Sequence, residues 1–170
     1  GLSGFNLVAH VGDAPARVAG HRAALAQGCG VTAQFLDQVH GTRCLPLDAV
    51  LDTPVAPQAD ASITAQAGLA CVVMVADCLP VLFTDRQGRR VAAAHAGWRG
   101  LAGEHGQGVL EAVVASYAAG GQGVPMVAPQ DMLAWLGPCI GPREFEVGAD
   151  VHAAFCAVDP EAATAFALQP

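Results

Sequence analysis

LACVVMVADCLPVLFTDRQGRRVAAAHAGWRG, residues 69–100, holds two apolar runs, a tight turn and a third apolar run that ends beside a histidine and a glycine. The runs over 69–76 and 81–84 are rich in β-branched residues and are separated by Asp77-Cys78-Leu79-Pro80, so they read as buried strands with Cys78 at the kink between them. Asp85-Arg86-Gln87-Gly88 is a turn sequence. The strand expected after it, over 90–95, reverses direction and closes in His95-Ala96-Gly97-Trp98-Arg99-Gly100. Cys78 and His95 therefore both stand at strand ends. The stretch 69–83 is interrupted by Asp77 and Pro80 and falls short of the roughly 20 apolar residues a spanning helix requires, so no membrane segment is expected.

Upstream, apolar and basic residues over 16–26 recur at helical spacing, with Asp13 able to cap and Pro15 suited to a first turn. Residues 34–39 read as a short strand running into His40-Gly41, where the glycine lets the backbone turn sharply. Prolines and aspartates break every periodicity over 46–58, which is expected to be a surface loop, and 60–64 resumes extended structure. Downstream, a helix is expected over 101–119, ended by Gly120-Gly121. A strand over 132–136, a rigid turn over 137–142, a helix over 150–157 and a further turn of helix opening at Pro160 complete the pattern. Strands and helices alternate irregularly, with hairpin steps. The expected fold is an α/β (α+β) layered single domain with mixed β-sheets flanked by helices, not a doubly wound parallel sheet.

Composition narrows the function classes. At 170 residues the chain is long enough for one domain with a real core, and 53% hydrophobic against 14% charged residues places it far from disordered compositions. A net charge of −7 with only eight basic residues gives no footprint for nucleic acid. No secretory signal opens the sequence, so a cytoplasmic location is expected. The six cysteines form no C-x-x-C pair, as suits thiols in a reducing compartment.

His40, Cys78 and His95 each close a strand beside a glycine or proline. Two imidazoles and a thiolate can bind zinc and leave its fourth position open, the arrangement of catalytic zinc sites. Their separations of 38 and 17 residues match no zinc-finger spacing, so spacing alone is a weak signal.

The words around these residues carry more. Gln38-Val39-His40-Gly41, Ala76-Asp77-Cys78-Leu79-Pro80-Val81 and His95-Ala96-Gly97-Trp98-Arg99-Gly100, in that order, resemble the laccase-domain family of purine nucleoside phosphorylases, also known as polyphenol oxidases or peptidoglycan editing factors. Asn6-Leu7, His10-Val11-Gly12-Asp13, Ala59-Asp60-Ala61, Leu136-Gly137-Pro138 and Phe145-Glu146-Val147-Gly148 extend the resemblance over nearly the whole chain. It implies a CNF1/YfiH-like fold, with zinc held by His40, Cys78 and His95. It also implies phosphorolysis of adenosine, inosine, guanosine and methylthioadenosine to free base and ribose 1-phosphate, with adenosine deamination as a second activity. Purine nucleosides and phosphate are then the partners. Members of the family continue beyond the last helix and begin earlier, so 1–170 is expected to be one laccase-domain-family domain lacking N-terminal residues and a C-terminal segment.

Around the three ligands, Arg99 is the candidate phosphate contact, because its planar fork suits bidentate binding, although a structural ion pair would explain it equally. Asp77 could orient a ligand or accept a proton, or be a turn carboxylate satisfied by backbone N–H groups. Glu146 is a candidate general acid or base only through its place in its word, and Cys139 lies in a turn the family places near the site. His10, His21, His105 and His152 have no partner at ligand spacing, His105 being expected on the helix over 101–119. Two other readings stand beside the phosphorylase. One is a metal-free cysteine hydrolase with Cys78 as nucleophile and His95 or His40 as base. The other is a non-catalytic zinc-binding module, in which a fourth ligand such as Cys139 would close the site. Multicopper oxidation is disfavoured, since the six histidines are isolated. Oligomeric state is not legible.

Overall fold

A computed structural model describes residues 4–47, 55–120, 123 and 125–167. Much of the loop expected over 46–58, and Gly121, lie outside these. The element that organises the rest is the hairpin of β5 (Leu79–Asp85) and β6 (Val91–Ala96), paired antiparallel from Leu79↔Ala96 to Thr84↔Val91. Its turn is built on Asp85, whose carboxylate accepts hydrogen bonds from the N–H groups of Gln87 and Arg89 and from Arg89 Nε, all at 3.0 Å. The reversal read from Asp85-Arg86-Gln87-Gly88 is thus present, and both strand ends of interest emerge at its open end.

β3 (Ala61–Thr64) pairs antiparallel with β6, and β7 (Met132–Leu136) pairs antiparallel with β5. β2 (Cys44–Pro46) runs parallel to β3, giving a mixed five-stranded sheet in the order β2-β3-β6-β5-β7. A second, two-stranded parallel sheet joins β1 (Thr32–Gln34) to β4 (Leu69–Cys71). This is the α/β architecture of mixed sheets and helices expected from the sequence. Alternation sorts the residues: Ala61, Ile63, Val81, Phe83, Ala92, Ala94 and Ala96 turn to one face, where they meet Val109, Val113 and Tyr117 of α3 (Val109–Ala119). The alanines of β6 let the helix lie close. Ile63 is 1% exposed, and burying a side chain of that size contributes roughly 1.5–3 kcal/mol. A second cluster of Leu36, Leu45, Leu47, Ala59 and Leu69 forms under the small sheet.

Four expectations need correction. The helix expected over 101–119 is two helices, α2 (Trp98–Ala102) and α3. Gly103, His105 and Gly106 between them take positive φ, and a Cβ on Gly103 would lie 2.3 Å from the Gln107 carbonyl oxygen, so the glycines overrode the apolar period. His105 consequently sits in a turn. The strand expected over 34–39 is only β1, and that over 69–76 only β4; beyond them Asp37 makes an isolated bridge to Gln58, while the N–H groups of 39–41 and the Met74 main chain bond to side chains, as described below. α1 (Pro15–Cys29) begins at proline as expected, but its N-cap is Ala14, and Asp13 Oδ1 accepts from the Ala14 N–H at 2.8 Å. α4 (Ala149–Val158) and a 3₁₀ turn over Pro160–Ala165 follow the sequence closely. Among the described residues no helix is long and apolar enough to cross a membrane.

The Asp85 turn generates a pH dependence. Burial alone would raise the Asp85 carboxyl, but the Arg89 and Gln87 hydrogen bonds outweigh it and hold the pKa below the ordinary carboxylate value. A carboxylate with a depressed folded pKa stabilises above its unfolded pKa, and loses that contribution as pH falls through the folded value. Asp85→Asn should therefore cost about 1 kcal/mol in urea unfolding at pH 7, and the gap to the parent should close in acid. A gap unchanged down to pH 3 would show that the charge contributes nothing.

Candidate metal centre

Pro80 pairs with His95 and Leu79 with Ala96, so the hairpin carries Cys78 and His95 to one end of the sheet. His95 is buried at 4% exposure, while Cys78 is half-buried just before β5. His40 comes from a third segment, an irregular loop between β1 and β2, with Nε2 at 3.9 Å from Cys78 Sγ. The two imidazoles meet edge to face, centroids 4.6 Å apart. One ligand atom from each of His40, Cys78 and His95 lies within 4.8 Å of the others, the one such group of three or more among the described residues.

What holds His40 and His95 is Asp60, fully buried at the residue before β3. Its Oδ1 accepts from the His95 ring at Nδ1, 2.8 Å, and from the His40 N–H at 2.9 Å. Its Oδ2 accepts from the N–H groups of Gly41 at 2.7 Å and Val39 at 3.1 Å. Three successive backbone N–H groups thus form a nest around one carboxylate. Burial would raise the Asp60 pKa, but His95 and the three N–H groups together bring it below the usual carboxylate value. With Nδ1–H committed to Asp60, His95 turns Nε2 outward as its free donor atom. The same nest holds His40 at φ +59°, a conformation that costs a non-glycine residue roughly 1–2 kcal/mol. This is why the chain over 35–40 leaves the sheet. Gln38 completes the arrangement by exchanging two hydrogen bonds with the Met74 main chain, at 2.8 and 2.7 Å, which takes 72–76 out of β4's ladder.

Gly97 lets the side chains converge. A Cβ there would lie 2.8 Å from His40 Cδ2 and 3.1 Å from Cys78 Sγ. Burial, reinforced by Asp77 and Asp60, pushes the Cys78 thiol above its ordinary pKa. A thiolate at neutral pH at this position needs a cation beside it. Met74, the other sulfur near the group, is engaged by Arg22 at 3.8 Å. The donor set of one thiolate and two imidazoles fits zinc with a coordination position to spare.

Three recesses meet around this group. A cavity of about 340 Å³ exposes His40, Cys78 and His95, with His10, Gln38, Met74 and Asp77 in its wall. A largely apolar recess of about 280 Å³ shares Asp77 and Cys78 with it. A third, about 300 Å³, shares His40 with the first and Trp98 with the second, and contains Arg99, Thr42 and Glu104. The structure thus brings Asp77 to the boundary of two recesses as an exposed side chain. It does not orient a ligand; Asp60 does. Arg99 is exposed, lies over the Trp98 ring at 4.4 Å and makes no ion pair among the described residues. Glu146 is exposed and lines none of the three recesses, although its neighbour Phe145 lines the apolar one. Cys139 is exposed in that apolar recess and outside the ligand group. His21 is tied at Nδ1 to the Asn6 carbonyl, and His152 packs on Phe166. The residue the sequence reading passed over is Asp60, although it quoted Ala59-Asp60-Ala61. An aspartate between two small apolar residues at a strand start was the available signal.

The sequence model of a family described as multi-copper polyphenol oxidoreductase laccase matches residues 2–170. A purine nucleoside phosphorylase of Pseudomonas aeruginosa is 50% identical over 164 residues, 95% of this chain and 60% of the relative. The purine nucleoside phosphorylase YfiH of Escherichia coli is 47% identical over 164 residues, 95% of this chain and 62% of the relative. The crystal structure of a Neisseria meningitidis protein superimposes with a TM-score of 0.85 at 46% identity, over 98% of this chain and 63% of that one. YlmD from Geobacillus stearothermophilus does so at 0.71 and 30% identity, over 88% of this chain and 56% of that one. The chain spans about three fifths of the length of these relatives.

The close approach at Gly97 is testable. Gly97→Ala should weaken zinc binding about tenfold or more in a chelator competition titration, with the circular dichroism spectrum retained. Unchanged affinity would show that His40 and Cys78 do not need to converge there.

Proposed function

The chain belongs to the family described as multi-copper polyphenol oxidoreductase laccase, and from that membership we propose that it carries the metal centre of a zinc-dependent purine nucleoside phosphorylase. The substrates are adenosine, inosine, guanosine and methylthioadenosine with phosphate, and hydrolytic deamination of adenosine is a second reaction at the same site. The observation that carries this reading is the open three-donor group His40, Cys78 and His95 at the meeting point of three recesses. The names of the Pseudomonas and Escherichia relatives support the activity. His40, Cys78 and His95 would hold the zinc, which would supply a Lewis acid at this site.

The remaining roles fall to the chain's own side chains. Arg99, unpaired among the described residues and stacked on Trp98, holds phosphate in its recess by charge-assisted hydrogen bonds. A phosphate oxygen attacks C1′ of the ribose, the C1′–N9 bond breaks, and its electron pair leaves with the purine. The proton shed by the attacking hydrogen phosphate is the one the departing base requires. We assign the transfer of that proton to Asp77, a reading supported by its position in the wall shared by two recesses, whereas Glu146 lines none of the three.

The competing readings are less well supported. A metal-free hydrolase needs a thiolate at Cys78, yet burial and two carboxylates raise that thiol's pKa. A closed structural zinc site needs a fourth protein ligand, and Cys139 is not in the group.

Native protein of measured metal content, incubated with adenosine, should release adenine and ribose 1-phosphate only when phosphate is present. His40→Ala and Cys78→Ala should abolish release. Arg99→Ala should raise the phosphate KM roughly 10–100-fold and leave the nucleoside KM nearly unchanged. Adenine release independent of phosphate, or activity surviving Cys78→Ala, would overturn the reading.

A further inference from the structure

We propose that the apolar recess lined by Leu79, Trp98, Leu101, Ile140, Phe145 and Phe155 receives the purine base, with Phe145 and Trp98 as the aromatic surfaces it stacks on. The inference rests on the phosphorylase reading for the identity of the ligand. The recess opens from the metal centre, since Asp77 and Cys78 belong to its wall and to that of the cavity holding His40 and His95. A nucleoside laid across that shared boundary places its flat base on the apolar side. Its hydroxylated sugar lies on the side of His10, Gln38 and Asp77, and its glycosidic bond at Asp77 and Cys78.

Chemistry separates the three recesses. Apart from Asp77 and the Cys78 thiol at the boundary, the apolar recess offers only the Cys139 thiol and the Trp98 indole as polar side-chain groups. It suits a π-face and has no place for a phosphate or a sugar. The Arg99 recess adjoins it through Trp98, so phosphate approaches from a different direction than the base leaves. Phe145 supports the assignment independently. It is 43% exposed at the recess wall and pairs with no other aromatic ring among the described residues, so a ring face there is not taken by another ring. The larger groove of about 480 Å³ across the outer sheet face, lined by Leu82, Leu133 and Trp135, is the rival site. It shares no residue with the recesses around the metal centre.

The chain has two tryptophans, Trp98 in the proposed recess and Trp135 in the rival groove, and this supplies the test. Hypoxanthine or adenine titrated into the native, zinc-loaded protein should quench tryptophan fluorescence saturably. The quenching should disappear with Trp98→Phe and persist with Trp135→Phe. Phe145→Ala should weaken base binding about tenfold and Phe145→Tyr should restore it, with zinc content unchanged in both. Quenching that follows Trp135, no saturable quenching, or no effect of Phe145→Ala would overturn the base site. Phosphorolysis assayed on the same samples separates the two claims. Turnover without Trp98 quenching removes the base site and leaves the phosphorylase. Trp98 quenching without phosphate-dependent turnover leaves the base site and removes the phosphorylase.

Discussion

A single buried carboxylate determines where two of the three candidate ligands, His40 and His95, stand. Asp60 is held to β6 twice, because its carbonyl accepts from the His95 N–H at 2.7 Å and its side chain accepts from the His95 ring at 2.8 Å. Burying a charge is costly unless hydrogen bonds replace its water. Here the ring and three backbone N–H groups do so. The N–H groups come from 39–41, so satisfying the carboxylate forces that loop into its bend and offsets the strain of His40. Sheet pairing, ligand orientation and loop conformation are thereby coupled through one residue. The half-buried Cys78 is the ligand Asp60 does not hold; the hairpin register places it.

The hairpin was legible because its signals are local, whereas His40, Cys78 and His95 stand out as candidate ligands through the resemblance of the words around them. Asp85 to Gly88 is a turn in any context, and His95 stands near the end of β6 as its apolar run implies, but His40 lies in a loop beyond β1. Asp60 was not legible as a ligand-positioning residue, because its partners lie 20 and 35 residues away in sequence. The same cause shortened two expected strands. Residues 35–40 and 72–76 have strand-like composition, but Asp60 takes the N–H groups at 39 and 40, Asp37 bridges to Gln58, and Gln38 takes the Met74 main chain. The helix break at 103–108 is marked by three glycines, Gly103, Gly106 and Gly108, whose cost in a helix outweighs the apolar period running through them.

The site divides its tasks between rigid and adaptable parts. Two of the ligands belong to a hairpin whose inner face is packed against α3, which limits how far they can drift. The surfaces proposed for substrate come mostly from the start of α2, the turn over 137–145 and α4, with Leu79 and Ala96 at the end of the sheet ladder beneath them. Such segments can vary in shape without disturbing the donor set. Splitting the expected long helix at Gly103 serves this division. α2 is short, and it carries Trp98 and Arg99 directly after His95 into two different recesses.

X-ray absorption at the zinc edge of the native protein tests the metal centre most directly. One sulfur at about 2.3 Å, two imidazole nitrogens at about 2.0–2.1 Å, and loss of the sulfur shell in Cys78→Ser are the expected result. A second sulfur, a sulfur shell that persists in Cys78→Ser, or copper in place of zinc in protein as isolated would contradict an open zinc site built from His40, Cys78 and His95.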